Sequence, residues 1–311
     1  MSRSSTLFAG DIGLDLTAVI PHLPGVDEKV VATASFEDVG GVVANAAVAC
    51  ALTGASTRVL VRVGGDAAGE RALAALAQRG VEVVAGRADV GETCRALILI
   101  DETGEKRLVL VPGSSMYPSV QQVSAVPLGD VGWLHTALYD VEAATLLVDR
   151  CRTAGIPWSI DLEPATLGSG LVGIAACLTG AEVVLVNSRA AAFLGDDPTG
   201  QLHDMGVSNV VLTAGARGAE WCSRALRTHV TAPETPGGIV DTTGAGDALA
   251  GWLVGRLLLG DPPAEALQEA VVAATLSCTS IGAQRSYPRR SAVVDACLPP
   301  SRSQPVTRGS E

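Results

Sequence analysis

Short runs of Val, Ile and Leu recur along this chain, separated by Ala-rich stretches of helical spacing. Residues 57–63, 81–84, 131–136, 156–161, 182–187 and 209–213 read as buried strands. Residues 66–79, 141–154, 188–194 and 199–206 read as helices between them, the first capped by Asp66 and ended by Gly80. A strand that is apolar on both faces needs cover on both, and a parallel neighbour needs a crossover. The rhythm therefore predicts an α/β fold: βαβ units, a central, mostly parallel sheet, and helices on both faces. Three strands end in a polar residue, Asp161, Asn187 and Thr213. Ligands of open α/β sheets sit beyond the carboxyl ends of strands, so these ends point to one shared site.

Two segments break the rhythm. Residues 13–39 carry Pro21, Pro24 and Gly25. Residues 93–100 and 107–111 are alternating runs about a Gly-containing turn, a hairpin pattern. Segments 13–39 and 93–115 together predict a small β-layer, either a lid or an edge extension of the main sheet. No long linker or fixed-period repeat interrupts the 311 residues. Residues 1–298 therefore read as one domain, followed by a polar, Pro-bearing tail, 299–311, expected to be mobile.

The net charge of −11 argues against nucleic acid or an anionic membrane as partner. It does not exclude a nucleotide, because local backbone amides outweigh a distant charge. The seven cysteines are scattered without a C-x-x-C pair, and no His lies at metal-ligand spacing. They read as reduced core residues of a cytoplasmic protein. The first residues lack a long apolar segment, and the run near 248–259 is too short to span a bilayer.

The string Asp241-Thr242-Thr243-Gly244-Ala245-Gly246-Asp247 stands immediately before a long apolar helical pattern. Small residues there let the backbone turn and present its N–H groups at a helix N-terminus, an anion site. Asp247 falls in the first turn, where a carboxylate can take a proton from an attacking hydroxyl while the amides hold a phosphoryl group. A second string, Gly40-Gly41 followed by Asn45, opens another helix. Its glycines permit close approach to a ligand, and Asn45 offers a donor and an acceptor to hydroxyls or to its local backbone.

The first string resembles the C-terminal signature of the ribokinase-like, or PfkB, family of sugar and nucleoside kinases. The second resembles that family's N-terminal signature. The resemblance implies a ribokinase-like fold with a β-sheet lid, and a sugar pocket lined by Gly40, Gly41, Asn45 and Asp15. Asp11 is then a second substrate contact or a turn former. It implies Asp247 as catalytic base and the amides of Gly244, Ala245 and Gly246 as the anion hole. Asn187, Thr213, Gly215 and Gly218 would approach ATP, together with Gly244 and Gly246. Asp241, Thr243 and Ser286 would enclose a monovalent cation, K+. Mg2+ would accompany ATP, and the lid edges suggest a homodimer. Val42 replaces a Lys common after the Gly-Gly pair. Ala190 stands where the family carries a Glu that organises the magnesium–phosphate network.

The expected activity is ATP-dependent transfer of the γ-phosphoryl group to a hydroxyl of a small sugar or related polyol. The alternatives are a nucleoside kinase of adenosine or pseudouridine type, or a ligand-binding homologue weakened by the loss at position 190. A dinucleotide-binding dehydrogenase is disfavoured, because no G-x-G-x-x-G follows the first strand.

Overall fold

The computed structural model describes residues 3–84, 86–87, 91–103, 105–113, 117–168, 170–235 and 237–297. Its strands are β1 (Ser5–Ala9), β2 (Gly13–Val19), β3 (Ala34–Gly40), β4 (Ser56–Leu60), β5 (Arg62–Val63), β6 (Glu82–Val83), β7 (Gly86–Arg87) and β8 (Arg95–Ile100). They continue as β9 (Lys106–Val111), β10 (Val131–Ala137), β11 (Trp158–Leu162), β12 (Val183–Asn187), β13 (Asn209–Thr213), β14 (Ala219–Ser223) and β15 (Arg227–Val230).

The main sheet has nine strands in the order β15-β14-β13-β12-β11-β10-β1-β4-β6. From β6 to β13 all neighbours are parallel. The inner strands are apolar on both faces, and two buried clusters cover them. The predicted α/β layering is observed, with two differences in detail. The run 57–63 divides into β4 and β5, and β5 pairs outside the main sheet with β7. The antiparallel edge β14–β15 has no strand signal in the sequence, because its polar, exposed residues Arg227 and His229 form no apolar run.

A separate four-stranded sheet, in the order β3-β2-β8-β9, is built from the two segments that broke the rhythm. It does not extend the main sheet. Asp66 ties this small sheet to the body. Its carboxylate caps the helix Ala67–Gln78 through the amide of Gly69 at 3.0 Å. The same carboxylate accepts from the Thr93 hydroxyl at 2.5 Å and the Thr93 amide at 3.2 Å, and from Arg95 at 3.2 Å. Burial pushes the Asp66 carboxyl up, but the bonds from Thr93 and Gly69 and the charge of Arg95 hold it down at about 2. Residues 104, 114, 115 and the tail from 298 onward, parts of the expected lid and mobile end, lie outside the described residues.

One helix-to-helix contact sets the centre of the molecule. Helix Val42–Leu52 is buried on nearly all sides between the main sheet and helix Ala245–Leu258. The two approach so closely that a Cβ on Gly251 would fall 1.9 Å from the carbonyl oxygen of Ala46. Among the described residues no helix is long and apolar enough to cross a membrane, and no disulfide forms. Gly251→Val is expected to force the two helices apart and to lower unfolding stability by about 1–3 kcal/mol. Urea titration of the purified variant measures this.

Candidate active site

Gly244 begins the site. It is the N-cap of helix Ala245–Leu258, with φ of 74°, and a Cβ there would meet Tyr287 Oη at 2.9 Å and Ala283 Cβ at 2.7 Å. The Tyr287 hydroxyl donates to the Gly244 carbonyl at 2.9 Å. The first residues of the helix lie beside a cavity of about 420 Å³, and the Ala245 amide is 3.3 Å from the Thr242 carbonyl oxygen. Its lining includes Thr213, Gly215, Gly218, Thr242, Ala245 and Gly246, with an apolar wall from Leu249, Val271 and Ala274. The expected phosphate-loop residues 213, 215 and 218 thus meet the expected anion hole around one space.

Asp247 is half-buried in the first turn of this helix. Asn45 Nδ2 donates to Asp247 Oδ2 at 2.7 Å, across 202 residues of sequence. Gln284 Nε2 in turn donates to Asn45 Oδ1 at 2.9 Å. Both ends of the Asn45 amide are therefore engaged, and its described partners are Asp247 and Gln284. Burial pushes the Asp247 carboxyl well above the usual carboxylate range. The Asn45 hydrogen bond lowers it, while the charges of Asp161, Asp11 and Glu163 raise it further.

Those four acids form a cluster at the carboxyl ends of β1 and β11 and the start of the helix. Asp161 is pushed up to about 7, by burial and then by Glu163 and Asp11. Asp11 is pushed up to about 6 by burial, against the amides of Val43 and Val42 that lower it. Those amides donate to its two oxygens at 3.0 and 2.8 Å, so Asp11 tethers the start of helix Val42–Leu52. Glu163 accepts a hydrogen bond from the Tyr139 hydroxyl. Sequence reasoning did not single out Glu163 or assign a role to Gln284. Glu163 follows Asp161 by two positions, the one signal that could have found it.

Asp15 lies half-buried on β2, opposite Asp38 on β3. Both line a small pocket between the four-stranded sheet and the 241–243 and 282–283 loops. Gly40 lies against the Asp15 carboxylate, and Gly41 caps the helix that carries Asn45. Burial pushes Asp15 up to about 6, with Asp38 and Asp11 adding to the rise and Lys106 opposing it. Asp38 pairs with Arg79 at 3.2 Å and approaches Arg285 at 3.8 Å, and Arg285 covers the ring of Phe36 at 5.4 Å.

Asn187 caps helix Ser188–Leu194, accepting from the amides of Ala190 and Arg189 at 2.9 and 3.1 Å. It sits beside Thr213 in register and does not line the large cavity. Ala190 is fully buried and Arg189 is exposed. Asp241 Oδ1 accepts from the Thr243 amide at 2.9 Å and hydroxyl at 2.6 Å, and Oδ2 accepts from the Gly282 amide at 2.9 Å. Three of its roughly four acceptor positions are used, leaving one for an ion. Ser286 donates to Ala283 O at 2.7 Å within the neighbouring loop.

Among the described residues no three His, Cys, Asp or Glu side chains form a metal cage. Mg2+ seldom needs one: it keeps several waters and takes one or two carboxylates plus phosphate oxygens. Asp161 and Glu163 fit that need, since their mutual repulsion is what a hydrated cation would relieve.

The pfkB family carbohydrate kinase model matches residues 12–290. The ribokinase of Haemophilus influenzae is 29% identical over 306 residues, covering 93% of this chain and 96% of that protein. An ATP-dependent ribose-1-phosphate kinase of Halopiger xanaduensis is 27% identical, covering 92% of this chain and 96% of that one. The structure of Arabidopsis thaliana ribokinase complexed with ribose and ATP superposes with a TM-score of 0.78 at 21% identity, covering 96% of this chain and 99% of that one. The fold and site define a phosphotransferase with a hydroxyl acceptor. This chain belongs to the pfkB family of carbohydrate kinases.

Asp161 has a folded-state pKa above its unfolded value, so the protein loses stability as pH rises from about 4 through about 7. Asp161→Asn removes that loss. We expect its melting temperature to match wild type near pH 4 and to exceed it by several degrees at pH 8, as read by differential scanning fluorimetry across pH.

Proposed function

We propose that this protein transfers the γ-phosphoryl group of ATP to a hydroxyl of a small neutral sugar. The carrying observation is the half-buried Asp247, held by Asn45 in the first turn of a helix whose first residues, Ala245 and Gly246, line the 420 Å³ cavity. ATP occupies that cavity, its purine against Leu249, Val271 and Ala274 and its phosphates directed by Gly215 and Gly218 toward Ala245 and Gly246. The sugar lies in the pocket of Asp15, between the four-stranded sheet and the 241–243 loop.

In the reaction the sugar hydroxyl oxygen bonds to Pγ and the bond from Pγ to the β,γ-bridging oxygen breaks. ADP leaves, and the hydroxyl proton passes to Asp247. Its raised proton affinity makes Asp247 a competent acceptor once ionised. The amides of Gly244, Ala245 and Gly246 hold the charge on the transferring group. Asn45 aims the base and Gln284 aims Asn45. Asp15 accepts hydrogen bonds from sugar hydroxyls. Asp11, tied to the amides of helix Val42–Leu52, shapes the pocket from behind rather than by contact. Asp161 and Glu163 would hold the waters of Mg2+, which neutralises the triphosphate when bound. Potassium would sit against the open position of Asp241, with Thr243 and Ser286 nearby. The four-stranded sheet acts as a lid that excludes water.

Two features favour a neutral sugar. Asp15, Asp38 and Asp241 line the pocket, a field that repels a phosphorylated substrate. Phe36, the aromatic ring there, already carries the Arg285 guanidinium on one face, which leaves a nucleobase less stacking surface. A panel of free pentoses, their 1-phosphates and nucleosides, assayed for ADP release, is expected to show turnover with a free sugar alone. Asp247→Asn is expected to lower kcat by roughly 100- to 10,000-fold while ATP still binds by calorimetry. Turnover at the wild-type rate in that variant would remove the base assignment. Asn45→Ala takes away a bond that lowers the Asp247 pKa, so the acidic limb of kcat against pH should move to higher pH.

The outward lid face carries Leu16, Leu97, Val109 and Val111, each at least 41% exposed, and β9 is an open edge. A second copy of the same lid covers this face in our reading, giving a homodimer in the cytoplasm. Leu97→Glu is expected to shift the protein to a monomer in sedimentation velocity.

A further inference from the structure

Lys106 opens β9 at the turn of the lid hairpin, paired with Ile100 of β8. Its side chain crosses the small pocket, and its ammonium donates to the hydroxyl oxygen of Thr243. The Thr243 proton is already committed to Asp241 Oδ1, so the hydroxyl is oriented to accept. Thr243 directly precedes Gly244, where the amide nest begins. One lid side chain therefore touches the loop that forms the anion hole, across 137 residues of sequence.

Charge gives this contact its meaning. The reacting region is crowded with acids: Asp11, Asp15, Asp161, Glu163 and Asp247. Among the residues lining the small pocket Lys106 is the one cation. Among the described residues it has no carboxylate within ion-pair distance, whereas its hairpin neighbours Arg95 and Arg107 pair with Asp66 and Glu105. An ammonium has three donors, and Thr243 takes one. Two remain for an acceptor oxygen that enters the pocket Lys106 lines. With Val42 after Gly41 and Ala190 in the helix after Asn187, the nearby elements supply neither a lysine nor a glutamate-held cation at those positions.

Resting on the kinase reading above, we propose that Lys106 is the lid's phosphate ligand: closing the lid brings its ammonium to the transferring phosphoryl group and latches the lid to the anion-hole loop through Thr243. Closure and charge neutralisation are then one event. An open lid withdraws the cation as well as admitting water, so ATP stays unreactive until a sugar holds the lid down.

Lys106→Met and Lys106→Arg test this, since the side chain stands on an exposed strand and its loss leaves the core intact. With Met, kcat for the sugar is expected to fall roughly 10- to 100-fold, with the sugar Kd by calorimetry within about threefold of wild type. Arg should recover part of kcat. Hydrogen exchange supplies a readout that needs no turnover: sugar plus ADP and vanadate should slow exchange in residues 106–111 of wild type, and less so in Lys106→Met. A Met variant with wild-type kcat and wild-type exchange protection overturns the proposal. If wild type phosphorylates no sugar, the kinase reading fails, and the exchange comparison alone then decides whether Lys106 latches the lid.

Discussion

The approach of helix Val42–Leu52 to helix Ala245–Leu258 is the constraint on which the site depends. Gly251 lies one helical turn beyond Asp247, and Ala46 lies next to Asn45. Where Gly251 meets the Ala46 carbonyl the backbones are nearly in contact, and the same closeness brings Asn45 within 2.7 Å of Asp247. Any side chain at 251 would push the helices apart and break the bond between amide and carboxylate. The Asp247 carboxylate is therefore aimed by main-chain packing in the core, a far stiffer support than a surface loop.

Around that contact the molecule accepts an electrostatic penalty. Asp11, Asp161, Glu163 and Asp247 lie close together, and the charges of Asp11, Asp161 and Glu163 raise the proton affinity of Asp247. Packing alone gains nothing from such a cluster. It makes sense where a phosphoryl group and its cation arrive together, since the acids then balance a charge that the empty protein lacks. Stability and reactivity pull against each other at these positions.

The sequence carried the architecture well, because parallel strands buried on both faces write long apolar runs. Asp247, the glycine turn before it and the Gly40–Gly41 helix start were legible as strings, since local backbone geometry forces those residue types. Contacts between distant segments were not legible. Gln284 stood in plain view within its loop, but nothing in the chain says that it bonds Asn45, 239 positions away. Asn45 read as a sugar ligand because an isolated amide advertises only its donors and acceptors. Asn187 read as a nucleotide contact, and the string did not say that its side chain also caps the helix that follows. Lys106 gave no signal, because an exposed lysine near a hairpin turn is ordinary until the lid is folded over.

The clamp of Asp66 on Thr93 and Arg95 has a mechanical consequence. It pins one end of β8 to the body of the protein, while at the other end the hairpin meets the body through Lys106 and Thr243. Six residues of extended chain make a lever of about 20 Å from that pivot to the tip. A tilt of about 10° at the pivot displaces the far end by roughly 3–4 Å, enough to part an ammonium from its acceptor while the anchored end barely moves.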